Sequence, residues 1–139
     1  MLKGIPKILS PELLKVLCEM GHSDRLVIAD GNFPAETCGQ RVVRADGHGG
    51  REILDAVLSL IPLDTYADEN LLLMETTNGD PTPEIWADYF EIAQKHDKNM
   101  RVGNVERFAF YEKAKDCYVI IATGESAVYA NIILQKGVI

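Results

Sequence analysis

Cysteine is scarce and unpatterned. The 139-residue chain holds three, Cys18, Cys38 and Cys117, with no CxxC spacing among them. An odd, scattered set excludes a disulfide framework and reads as free thiols in a reducing compartment, so the expected location is the cytoplasm. Long apolar runs are missing too, and no stretch approaches the ~20 residues a membrane span needs. Glu12 and Lys15 interrupt the first apolar residues, so no signal peptide is expected. Basic charge is in deficit, with 14 Lys and Arg against 21 Asp and Glu and a net charge of −7. That balance excludes a nucleic-acid groove and disfavours anionic lipid. Histidine is sparse: His22, His48 and His96 stand far apart, whereas zinc asks for three or four ligands. Neither a metal nor another cofactor is expected. Asp46-Gly47-His48-Gly49-Gly50 lacks the Gly-Lys-Ser/Thr ending of a phosphate loop. Gly124-Glu125-Ser126 lacks the GxSxG elbow. There is no repeat, low-complexity tract or linker, and the length suits one domain over residues 1–139.

What is present is a regular alternation. Ser10-Pro11-Glu12 opens a helix with a hydroxyl cap, a proline and an acid. Leu13, Leu14, Leu17 and Met20 give it one buried face, and Gly21 is expected to close it. Leu26 to Ala29 is a continuous apolar run, the mark of a strand covered on both sides. Ile53, Leu54, Val57, Leu58 and Ile61 mark a second helix, and Leu71 to Met74 a second buried strand. Thr82-Pro83-Glu84 repeats the first cap signature ahead of Ile85, Trp86, Tyr89, Ile92 and Ala93. Further strands are expected at 42–43, 100–105, 117–122 and 129–134, with a short helix over 107–115. The pattern predicts a three-layer α/β/α fold with a mainly parallel, mixed sheet. The last two strands are too close for a helical crossover, so one of them is expected to pair antiparallel.

Polar residues gather where these elements break, and strand ends are where α/β sheets bind ligands. His22 follows a helix end and brings an imidazole, a group able both to give and to take a proton; from this segment alone the plain surface histidine is the commoner reading. Asp30 follows the first strand as ligand or turn former. Arg107 stands beside Glu106 as ligand or surface ion pair. Tyr129 and Asn131 fall on one face of the last strand, and a buried Asn needs partners. Asp24 is close enough in sequence to orient His22, or it is a solvated acid. Together the set offers donors, acceptors and one proton-transfer group, a lining suited to a polyhydroxylated ligand.

Many segments, in order and nearly end to end, carry a resemblance. They include Met20-Gly21-His22-Ser23-Asp24, Ala29-Asp30, Asn32-Phe33-Pro34, Arg44-Ala45-Asp46-Gly47, Leu63-Asp64-Thr65-Tyr66, Glu106 to Glu112, Ala122 to Glu125 and Tyr129-Ala130-Asn131. The chain resembles the fucose mutarotase and ribose pyranase family of sugar isomerases, and Arg107 resembles the fucose branch. The resemblance implies that His22 is the proton donor and that Asp30, Arg107, Tyr129, Ala130 and Asn131 bind a monosaccharide, L-fucose first and D-ribose as the alternative. It also implies a ring-shaped homo-oligomer, a decamer, with each site completed by a neighbouring subunit. Fucose-branch sequences often carry glycine where Ala130 stands, a methyl that would narrow the pocket if the backbone touches the sugar there. A non-catalytic sugar-binding protein would need the lining without the imidazole.

Overall fold

The computed structural model describes residues 1–139. Eleven elements follow in the order α1 (Pro11–Glu19), β1 (Arg25–Ala29), α2 (Ala35–Cys38), β2 (Val42–Ala45), α3 (Gly50–Leu58), β3 (Leu71–Met74), α4 (Ile85–His96), β4 (Val102–Val105), α5 (Arg107–Asp116), β5 (Val119–Thr123) and β6 (Ile132–Gln135). The strands form one six-stranded sheet in the order β2-β5-β1-β6-β3-β4. β2, β5 and β1 run parallel, as do β3 and β4. β6 lies antiparallel between β1 and β3.

Alternation along the strands divides the core. Leu26 and Ile28 of β1 point, with Leu71, Leu73, Ile132 and Leu134, toward α1, α3 and α4. Val27 and Ala29 point, with Leu72, Ile120 and Ile133, toward α2 and α5. The apolar runs are therefore buried on both faces, and the layers are α/β/α.

The first cap forms as its residues dictate: the Ser10 hydroxyl accepts the Leu13 N–H at 3.1 Å. Other local expectations are revised. Gly21 does not close α1 with a left-handed turn; Met20 is already extended, and it is Ser23 that takes a positive φ of 71°. Thr82 does not cap α4, which starts at Ile85 without a side-chain cap; its opening turn is held by the Trp86 N–H on the Pro83 carbonyl, 3.2 Å. The short α2 follows the turn at Asp30–Pro34 and had no periodic signal. Tyr129 does not lie on a strand face: β6 begins at Ile132, and Tyr129 adopts a left-handed φ of 54°.

Candidate functional site

The parallel strands β1, β3 and β4 end on one edge of the sheet, and antiparallel β6 begins there. Residues just after β1, just after β4 and just before β6 are thereby neighbours, which no sequence spacing shows. Ile28 pairs with Ile132, so Asp30 meets Asn131. Their side chains lock together. The Asn131 amide donates to Asp30 Oδ2 at 3.0 Å, and Asn131 Oδ1 accepts the Asp30 N–H at 2.8 Å. Asp30 Oδ1 accepts the Asn32 N–H at 3.0 Å. Burial pushes the Asp30 carboxyl above its ordinary value, and the hydrogen bonds only partly counter it.

Arg107 is the first residue of α5. Glu106 does not pair with it. The Glu106 carboxylate caps the helix instead, accepting the Phe108 and Ala109 N–H groups, each at 3.0 Å. Those bonds hold Glu106 below the usual carboxylate range. Arg107 Nε donates to the Tyr111 hydroxyl at 3.1 Å, one helical turn on, and the guanidinium lies 5.6 Å from the Tyr111 ring centroid. Tyr111 packs edge-on against Phe33, centroids 5.4 Å apart. Tyr129 is fixed at both ends: its carbonyl accepts the Trp86 indole N–H at 2.8 Å, and its hydroxyl donates to Asp80 Oδ2 at 2.6 Å.

These groups enclose a cavity of about 290 Å³ lined by Asp30, Asn32, Phe33, Met74, Asp80, Arg107, Tyr111, Val128, Tyr129 and Asn131. That is the scale of a small-ligand site. Four sequence-predicted residues, Asp30, Arg107, Tyr129 and Asn131, come together here. Ala130 does not join them. Its side chain is fully buried in the core beneath α3 and α4, and its carbonyl accepts the Tyr89 hydroxyl at 2.9 Å. The methyl is turned into the core and leaves the cavity unnarrowed.

His22 is elsewhere. It precedes β1 whereas Asp30 follows it, so the strand holds them roughly 15–20 Å apart. At that far end the Lys136 carbonyl accepts the Ser23 N–H at 2.9 Å. The bridge Leu63↔Lys136 delivers Asp64 beside the imidazole. Asp64 Oδ1 accepts from His22 Nε2 at 3.1 Å and from the Tyr66 N–H at 2.9 Å. Asp64 Oδ2 accepts the Gln135 amide at 2.8 Å. Burial raises the Asp64 carboxyl, but the bonds from Tyr66, His22 and Gln135 outweigh it and hold it below the usual range. Its side chain is 1% exposed while that of His22 is 40% exposed. The carboxylate is thus sealed and the imidazole open. With Nε2 committed to a carboxylate, that nitrogen carries hydrogen, and Nδ1 is free to give or take a proton.

Asp24 does not orient His22: its carboxylate accepts the Gly21 N–H at 2.7 Å. The orienting residue is Asp64, which lies 42 positions away and had no local signal. Asp80, Tyr111 and Phe33 were likewise missed as cavity residues. Neither sheet edge gathers three His, Cys, Asp or Glu side chains able to hold a metal ion.

Comparison with known proteins fits this geometry. The model of the RbsD / FucU transport protein family matches residues 3–139. The chain belongs to that family. It is 46% identical to the human protein named fucose mutarotase over 146 residues, covering 99% of this chain and 94% of that one. Among solved structures, FucU from Bifidobacterium longum is 60% identical and superposes with a TM-score of 0.95, covering 99% of each chain. The fucose mutarotase of Streptococcus pneumoniae, solved in complex with L-fucose, is 46% identical with a TM-score of 0.95, again covering 99% of each chain.

Proposed function

We propose that the protein is an L-fucose mutarotase, an isomerase that interconverts the α and β anomers through the open chain. The observation that carries this is the open Nδ1 of His22, held by a sealed carboxylate, in a fold shared with an L-fucose complex. His22 gives a proton to the ring oxygen as the C1–O5 bond breaks. The anomeric hydroxyl loses its proton to a base, and C1 becomes an aldehyde. Rotation about C1–C2 and the reverse steps close the ring on the other face. Asp30, raised by burial, suits the base role better than Tyr129, whose phenolic hydrogen is engaged by Asp80. Arg107 and Asn131 position the hydroxyls, and Tyr129 forms a wall of the cavity against which the sugar lies. Each positioned acid or base supplies ~10²–10⁴-fold, enough for a reaction that is only moderately slow unaided.

One chain cannot do this alone, because β1 separates the acid from the cavity. The working site is therefore composite: His22 of one copy meets the cavity of its neighbour in a ring-shaped homo-oligomer, proposed to be a decamer. No helix is long and apolar enough to cross a membrane. The cytoplasmic setting is proposed on the free thiols of Cys18, Cys38 and Cys117. The experiment is saturation-transfer NMR on L-fucose with the wild type and His22→Ala. Accelerated exchange that falls by ~10²-fold or more in the variant is expected. Undiminished exchange in a folded variant rejects His22 as the acid.

A further inference from the structure

The cavity holds an unpaired cation and an unpaired carboxylate that leave each other alone. Arg107 makes no ion pair; its Nε is tied to Tyr111, and its two terminal nitrogens have no partner in the chain. Asp80 Oδ2 is taken by Tyr129, and its Oδ1 has no partner. Both residues line the same cavity, yet they are not within ion-pair distance. Each is restrained from the side by a tyrosine hydroxyl, so the gap between them is built. What fills such a gap must accept hydrogen bonds at one end and donate at the other, which a polyol does and water does less specifically.

The placement of Asp80 follows from its own segment. Asn78-Gly79 adopts positive φ at both positions, 56° and 75°, the tight turn that this dipeptide favours. The turn is closed by the Asp80 N–H on the Thr77 carbonyl at 3.0 Å. Pro81 then biases Asp80 away from helix. The same turn presents Thr77 to Tyr129: Thr77 Oγ lies 2.9 Å from the phenolic oxygen and the Thr77 N–H points to it at 3.3 Å. With its hydrogen given to Asp80 and its lone pairs faced by Thr77, the Tyr129 hydroxyl is saturated. It has no bond left for a ligand. The free acceptor at this wall is Asp80 Oδ1.

We propose that Asp80 is a sugar-binding residue of this site, its Oδ1 accepting a hydroxyl of the bound sugar while its Oδ2 pins Tyr129. The proposal rests on the mutarotase function above and adds to it the residue that selects one hydroxyl. Tyr129 then contributes its ring and its fixed backbone rather than its hydroxyl.

The test measures L-fucose exchange kinetics for the wild type, Asp80→Asn, Tyr129→Phe and the double variant. Asparagine keeps an acceptor for Tyr129 but offers no second one to the sugar; Asp80→Ser serves if the first variant fails to fold. The expected result is a KM raised about tenfold with kcat within about threefold of wild type. The same tenfold rise is expected when Asp80→Asn is added to Tyr129→Phe. Monodeoxy analogues of L-fucose give a second measure: one of them loses affinity with the wild type and loses no more with Asp80→Asn. An unchanged KM overturns the proposal, and so does a double variant no weaker than Tyr129→Phe alone, which would confine Asp80 to holding its loop. A wild type that neither binds L-fucose nor speeds its exchange overturns the mutarotase function itself, so the two failures are told apart.

Discussion

Two inactive variants should restore each other when they assemble together. His22→Ala removes the acid and leaves the cavity intact. Arg107→Ala opens the cavity and leaves the acid intact. The first should lose ~10²–10⁴-fold in exchange rate, and the second should lose a charged hydrogen bond worth about 1.5–3 kcal/mol in binding. If acid and cavity of one site belonged to one chain, a mixture would contain no complete site. The structure places them at opposite ends of β1, and the function proposed above therefore draws them from different chains. In assemblies formed from equal amounts of the two variants, half the imidazoles and half the cavities are intact, and roughly one quarter of sites are intact on both sides. The experiment co-expresses the variants with different tags, purifies the doubly tagged assemblies, and measures anomer exchange at low L-fucose. Activity near a quarter of wild type is expected. Doubly tagged assemblies no more active than the average of the parents would refute the composite site.

The remaining expectations are simpler. Asp64→Asn should lower kcat by roughly 10–100-fold and change KM less than about threefold, because Asp64 orients the acid and does not reach the sugar; a change confined to KM contradicts that role. Asp64 is held below the ordinary value of 3.8, so the stability it contributes is complete above about pH 4 and is lost as pH falls through the lowered value. In urea melts the gap between wild type and Asp64→Asn should therefore close in acid, and a gap constant to about pH 2.5 speaks against the linkage. Tyr89→Phe leaves the buried Ala130 carbonyl without its partner and should cost about 1–3 kcal/mol, read as a lower denaturation midpoint. Gly124→Ala drives a methyl into the Asp46 carbonyl oxygen and should destabilise by about 1–3 kcal/mol. Ala130→Gly should cost about 1 kcal/mol of stability and leave the L-fucose KM within about twofold, since that methyl faces the core; a marked change in KM would place it in the cavity after all.

The amino-acid sequence alone settled what depends on neighbours along the chain. Apolar runs as short as Leu26–Ala29 and Leu71–Met74, alternating with helical patterns, read as strands buried on both faces, and so point to a sheet with helices on either side. The Ser10-Pro11 cap follows from local stereochemistry. Asp30, Arg107, Tyr129 and Asn131 were legible as one polar set because each falls where an element breaks. What tertiary structure decided concerns residues far apart in sequence. Antiparallel β6 brings Asn131 onto Asp30, 101 positions away, and the bridge at Leu63 brings Asp64 rather than nearby Asp24 onto His22. Short range misled at Asp24 because its carboxylate is consumed by Gly21, and at Ala130 because a left-handed residue before it turns the methyl into the core. Above all, the length of one strand keeps the imidazole from the cavity, a separation in space that adjacency in sequence conceals.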